Sequence, residues 1–134
     1  MGLLVDTSVW SLALRRDQPD PTPEVLHLKR ALVSGDSVYG TGLILQELLQ
    51  GFAKPKAHTQ IVKHFSVLPF LVPERQDHID AAEIRNKCRR RGAQAGTIDA
   101  LLAQLCVRHD LEMLTTDNDI RHIAEVVALQ VWTP

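Results

Sequence analysis

Four acidic residues stand where an isolated negative charge is costly. Two follow short apolar runs and two lie inside apolar helical patterns: Asp6 and Asp117 in the first group, Glu47 and Asp99 in the second. A buried carboxylate needs a counter-charge, and one divalent cation can serve several carboxylates at once. Mg²⁺ and Mn²⁺ prefer such hard oxygen ligands. The chemistry that fits this set is metal-assisted hydrolysis of a phosphodiester bond, in which the ion acidifies bound water and neutralises charge at the phosphate.

Each of these acids also has an ordinary structural interpretation. Asp6 and Asp117 could cap the helices that follow them. Asp99 could be a favourable charge in the first turn of a helix, and Glu47 could face solvent on an amphipathic helix. The spacing alone therefore leaves both a metal site and four unrelated structural roles open.

The segments that carry these acids alternate between short β-type runs and longer helical patterns. We predict five strands, at 3–5, 37–39, 65–68, 113–115 and 126–132. Six or seven helices are predicted between and around these strands. This alternation predicts an α/β fold with a mostly parallel sheet covered by helices on both faces. Active sites in such sheets form at the carboxyl ends of strands, which is where Asp6 and Asp117 stand.

Length and composition limit the possibilities further. With 134 residues, the chain suits one domain, residues 1–134, around a single core. Its 15 Lys and Arg residues nearly balance its 16 Asp and Glu residues, which argues against a generally basic nucleic-acid binder but not against local clustering of charge. There is no CxxC pattern, no signal peptide and no apolar segment long enough for a membrane span, so we expect a cytoplasmic location.

Four short motifs resemble those of a known family in their order along the chain. They are LVDTSVW at 4–10, LQELLQG at 45–51, DALLA at 99–103 and LTTDNDI at 114–120. Together they resemble the PIN-domain ribonucleases, and most closely the VapC-type toxins of bacterial toxin–antitoxin pairs. The resemblance covers nearly the whole chain. Ile120 stands where the family often has Phe, which we expect to change packing only.

The resemblance implies a three-layer α/β/α sandwich that acts as a Mg²⁺- or Mn²⁺-dependent endoribonuclease. It also implies a homodimer and a cognate antitoxin protein as partner. The catalytic and metal-binding acids that it implies are Asp6, Glu47, Asp99 and Asp117. Asp119 is an adjacent candidate for a fifth acid, while Ser8 and Thr115 match hydroxyl positions that orient carboxylates or water.

A basic segment leads towards Asp99 and is a candidate for contact with RNA. Five bases occur in the seven residues 85–91, with no acid among them: Arg85, Lys87, Arg89, Arg90 and Arg91. Phosphate contacts supply much of the affinity of a nucleic-acid-binding protein. The alternative is that these cations only stabilise the end of a helix, which Gly92 predicts at this point.

Other functions are compatible with part of the pattern. A phosphatase of the haloacid-dehalogenase type also begins with an acid after its first strand, but it needs a second Asp two positions later, where this chain has Ser8. A receiver-type signalling domain needs paired N-terminal acids, which the sequence lacks. A catalytically silent PIN-like module that only binds RNA is the third alternative, and the intact acid set argues against it.

Overall fold

A parallel sheet lies at the centre of the fold. The computed structural model describes residues 2–15, 17 and 20–134, and its strands are β1 (Leu3–Val5), β2 (Val38–Tyr39), β3 (Glu112–Leu114) and β4 (Gln130–Val131). All pairs are parallel and the order is β2-β1-β3-β4, with Leu4 opposite Tyr39 on one side and Met113 on the other. The two central strands are therefore β1 and β3, and their carboxyl ends lie side by side.

Seven helices surround this sheet in the described part of the chain. They are α1 (Thr7–Leu14), α2 (Pro23–Ser34), α3 (Gly42–Gly51), α4 (Pro55–Phe65), α5 (Arg75–Arg90), α6 (Thr97–His109) and α7 (Asn118–Ala124). Sequence signals mark several boundaries: Thr22 accepts a hydrogen bond from the amide of Val25 at the start of α2, and Gly92 adopts a φ of 75° after α5. The predicted α/β/α architecture is confirmed. None of the described helices combines the length and apolarity that a membrane span needs.

The sheet has four strands among the described residues, so the prediction of a fifth strand at 65–68 is wrong. Phe65 ends α4 because it continues the buried face that begins with Ile61 one turn earlier. The chain then reaches the sheet edge further on, where Phe70 forms a single parallel bridge with Gly40. Pro69 has no amide to donate, which helps to keep this contact to one bridge.

Asp77 links the two longest helices, α5 and α6, through side-chain hydrogen bonds. It lies at the start of α5, is only 1% exposed and accepts hydrogen bonds from Arg108 Nε (2.8 Å) and Gln104 Nε2 (3.4 Å) of α6. Its other oxygen accepts the amide of Glu74 (2.8 Å) in a capping box. Burial alone would raise the pKa of Asp77, but these hydrogen bonds and the charge of Arg108 outweigh it and lower the pKa below the usual value of 3.8.

Asp77→Asn is expected to lower the free energy of unfolding by about 2–4 kcal/mol near neutral pH, because it removes one partner of a buried pair. The lowered pKa means that the ionised form stabilises the fold fully above about pH 4, and that this contribution is lost as pH falls through the folded-state value. In urea titrations, the free energy of unfolding of Asp77→Asn should therefore be lower than that of the wild type by a constant amount from about pH 5 to pH 8. The difference should shrink in more acidic buffer. Glu83→Gln, an exposed change on the same helix, is the control. A deficit that persists undiminished at about pH 3 would contradict this account.

Candidate active site

Asp6 stands at the junction of β1 and α1, but its side chain does not cap the helix. Its amide donates to the carbonyl of Leu114 (2.9 Å), which holds the ends of β1 and β3 together. Its carboxylate is nearly buried, and Oδ2 accepts hydrogen bonds from Ser8 Oγ (2.8 Å) and Thr115 Oγ1 (3.0 Å). The capping interpretation of this side chain is therefore wrong, because the carboxylate is held towards the end of β3.

Thr115 joins two of the acids through one hydroxyl group. The residue is fully buried, and the same Oγ1 that donates to Asp6 accepts the amide of Asp117 (2.9 Å). Ser8 Oγ adds a second link because it accepts the amide of Thr116 (3.1 Å) and lies 3.4 Å from Thr115 Oγ1. Both hydroxyl residues that the sequence singled out thus lie where they can orient acids.

Asp117 does cap a helix. Its Oδ1 accepts the amide of Asp119 (2.8 Å) at the start of α7, so the structural interpretation is confirmed for this oxygen. An ionised carboxylate has two oxygens and about four lone-pair directions. Capping therefore fixes the orientation of Asp117 without using up its capacity to bind a cation.

Glu47 accepts a hydrogen bond from a residue that sequence reasoning missed. It lies half-buried on α3, and its Oε1 accepts a hydrogen bond from Thr7 Oγ1 (2.9 Å) on α1. The alternative interpretation, in which Glu47 simply faces solvent, does not account for this contact. The signal for Thr7 was present, since it follows Asp6 directly in the first motif, but its partner is 40 residues away.

Asp99 shows that the acids share one electrostatic environment. The residue lies in the first turn of α6. Partial burial raises the pKa of its carboxyl from 3.8 to about 6, together with repulsion from four other carboxylates: Asp117, Asp6, Asp119 and Glu47, in decreasing order of effect. The structure thus brings the four other predicted acids within electrostatic range of Asp99 at the carboxyl edge of the sheet.

The five acids are suitable ligands for a hard divalent cation, because they supply only oxygen atoms. Their side chains are not placed closely enough to form a finished metal site. All five groups are carboxylates, and the repulsion that the other four exert on Asp99 is what a cation would relieve. In the part of the chain that the structure covers, no three Asp, Glu, His or Cys side chains form a preformed metal cage.

The basic segment divides between two clefts. Arg85 and Arg89 line a cleft of about 500 Å³ together with Gly96 and Asp119, so this cleft borders the acids. Arg85 is fixed there because its Nε donates to the carbonyl of Ala95 (2.9 Å). The remaining bases line a separate cleft of about 290 Å³ beside Val126; they are Lys87, Arg90 and Arg91. The five candidates for RNA contact therefore do not share one cleft, because a helix turns its residues to different sides.

Comparison with known proteins identifies the family of the chain. The sequence profile of the PIN domain matches residues 3–126. Ribonuclease VapC11 of Mycobacterium tuberculosis is 31% identical over 132 residues, which cover 96% of this chain and 96% of that protein. Among solved structures, FitAcB from Neisseria gonorrhoeae has a TM-score of 0.69 at 23% identity, covering 98% of this chain and 96% of its own. VapBC2 from Rickettsia felis, bound to a DNA fragment from its promoter, has a TM-score of 0.73 at 17% identity and covers 99% and 100%.

The fold and the site together define a parallel α/β domain with a cluster of acids at the carboxyl edge of its sheet. The chain belongs to the PIN-domain family, in its VapC-type branch.

Proposed function

We propose that this chain is a metal-dependent endoribonuclease that acts in the cytoplasm as the toxin of a toxin–antitoxin pair. The observation that carries the proposal is the set of five carboxylates that interact at one edge of the sheet. Such a set repels phosphate unless a divalent cation is bound, and therefore suits metal-assisted hydrolysis. The 31% sequence identity with Ribonuclease VapC11, over nearly the whole chain, supports RNA as the substrate.

The contacts of the acids suggest a division of roles. Asp6 and Asp99 would hold the main Mg²⁺ or Mn²⁺ ion, with Asp117 completing the site directly or through water. The ion, when bound, would acidify water and neutralise charge at the scissile phosphate. Glu47, oriented by Thr7, would position or deprotonate the attacking water. Attack on the phosphate would leave a 5′-phosphate and a 3′-hydroxyl.

Cleavage mapping on total RNA tests the proposal. The chain would be co-expressed with any small antitoxin-like protein encoded by a neighbouring gene, separated from that protein, and incubated with RNA in Mg²⁺, Mn²⁺ or EDTA. We expect discrete cuts with 5′-phosphate ends in either metal and none in EDTA. Binding of RNA without cleavage would favour the silent module, and hydrolysis of small phosphomonoesters without RNA cleavage would favour the phosphatase.

Arg89→Glu is expected to weaken RNA binding about tenfold and to make its dependence on salt shallower, because Arg89 lines the cleft beside the acids. The neighbouring variant Arg90→Glu makes the same charge change in the other cleft and should have a smaller effect. Affinity for an oligoribonucleotide, measured at several salt concentrations in EDTA, compares the two. Unchanged binding in both variants would leave these cations with a role at the helix end alone.

The antitoxin and a second copy of the chain are proposed as partners. A cleft of about 570 Å³ lies between the end of α1 and the start of α4. It combines apolar side chains with three cations and one acid: Leu14, Phe52, Ile61, Arg15, Lys54, Lys56 and Asp17. This lining suits the apolar face of a partner helix that carries acids at its rim. We therefore propose this cleft as part of the antitoxin surface.

A further inference from the structure

Arg121 on α7 reaches three acceptors, one on its own helix, one in the turn before that helix and one on α2. Its Nη2 donates to the backbone carbonyl of Thr115 (3.3 Å) and to Glu24 Oε1 on α2 (3.5 Å). Its Nη1 donates to Asn118 Oδ1 (3.2 Å). Helix α2 contributes none of the predicted site residues, yet this contact joins it to the turn that carries Asp117.

The carbonyl that Arg121 binds belongs to the residue that organises the acids. Thr115 is fully buried, so its carbonyl must find a donor inside the protein, and Arg121 supplies one. The hydroxyl of the same residue donates to Asp6 and accepts the amide of Asp117. Holding the carbonyl therefore restricts the backbone from which both of these contacts are made.

Glu24 gives this arrangement a fixed support. Its side chain is only 12% exposed, and it lies in the first turn of α2, where a negative charge is favourable. The start of that helix is itself fixed by the cap that Thr22 provides. A planar guanidinium can satisfy several acceptors at once in a way that a single ammonium cannot.

We propose that Arg121, anchored by Glu24, is a positioning residue that holds the turn from Thr115 to Asp117 in the geometry the acids need. The inference rests on the proposed function in one respect: the geometry that is held is that of the proposed metal site. Arg121 itself touches neither of the two acids that it would align, and it acts through Thr115.

The test compares Arg121→Met with Arg30→Met, which removes the same charge from an exposed position on α2. Amide hydrogen exchange in EDTA reports on the turn without requiring any activity. The amide of Asp117 is expected to exchange about tenfold faster in Arg121→Met than in the control. With Mn²⁺ and RNA, kcat is expected to fall about tenfold to a hundredfold, while KM for RNA changes less than about threefold.

Two milder variants cover the case in which Arg121→Met does not fold. Arg121→Lys keeps the charge but loses the planar guanidinium that can donate to several acceptors at once. We therefore expect faster exchange of the Asp117 amide and a lower kcat than in the wild type. Glu24→Gln keeps an acceptor oxygen for Arg121, so kcat is expected within about threefold of the wild type.

The outcomes separate the two proposals. Equal exchange and equal kcat in Arg121→Met and Arg30→Met would overturn the positioning role. A higher KM with unchanged kcat would also overturn it, because Arg121 would then be an RNA contact. A wild-type protein without metal-dependent cleavage would reject the proposed function, whereas the positioning role would still be decided by the exchange of the Asp117 amide.

Discussion

Asp99→Asn is expected to lower kcat/KM for metal-dependent RNA cleavage on the order of a thousandfold. The substitution preserves the size of the side chain and removes the charge that interacts with all four other acids of the site. Initial rates of cleavage in Mg²⁺ and in Mn²⁺ measure the effect. Full activity of a folded Asp99→Asn protein would reject the proposed site.

The same variant is expected to be more stable than the wild type when metal is absent. An acid whose folded-state pKa is raised from 3.8 to about 6 destabilises the fold as pH rises through this interval, and the full penalty is present above it. At about pH 7.5 in EDTA, the free energy of unfolding of Asp99→Asn should therefore exceed that of the wild type by about 1 kcal/mol, after allowance for solvent screening. The difference should vanish near pH 4.

Loss of activity together with gain of stability distinguishes a functional acid from a structural one. If Asp99 only capped or supported α6, its substitution would lower the stability of the protein. Glu83→Gln, an exposed acid on α5, controls for the change in net charge and should alter neither property. Lower stability of Asp99→Asn at about pH 7.5 would contradict the electrostatic description of the site.

Thr115→Val is expected to lower kcat about a hundredfold, although the two side chains have nearly the same shape. Valine removes the donor to Asp6 and leaves the amide of Asp117 without the hydroxyl acceptor that it now has. Two acids would thus lose their alignment through one atom. The cleavage rate and the affinity for Mn²⁺, measured by titration, are both expected to fall.

Two further substitutions show whether the hydroxyl is responsible. Thr115→Ser retains the oxygen and is expected to stay within about fivefold of the wild type. Thr116→Val changes the half-buried neighbour in the same way and is expected to have little effect. If Thr115→Ser were as impaired as Thr115→Val, packing of the methyl group and not hydrogen bonding would explain the loss.

The parts of the site that sequence could predict are those set by local patterns. Asp6 directly follows a strand of three apolar residues, Asp117 comes shortly after β3, and parallel strands must end at the same edge of their sheet. The acids of α3 and α6 came from the family resemblance together with their apolar surroundings. The division of the basic segment was also within reach, because Arg85 and Arg89 are one helical turn apart and share a face.

The parts that sequence could not predict depend on partners far apart in the chain. Thr7 and Glu47 are 40 residues apart, and Glu24 and Arg121 are 97 residues apart, so no local spacing indicates either pair. The false strand at 65–68 arose for a related reason. A run of four residues with three apolar side chains fits a strand or the end of a helix equally well, and the buried face of α4 decided between them.

The edges of the sheet also determine how the chain can associate with itself. Both outer strands, β2 and β4, are two residues long, and the outer side of β2 leads into the bridge between Gly40 and Phe70. Edges this short offer too few free amides and carbonyls to recruit a strand from another molecule. The homodimer proposed for this chain should therefore form through helix faces, with no continuous sheet running from one subunit into the next.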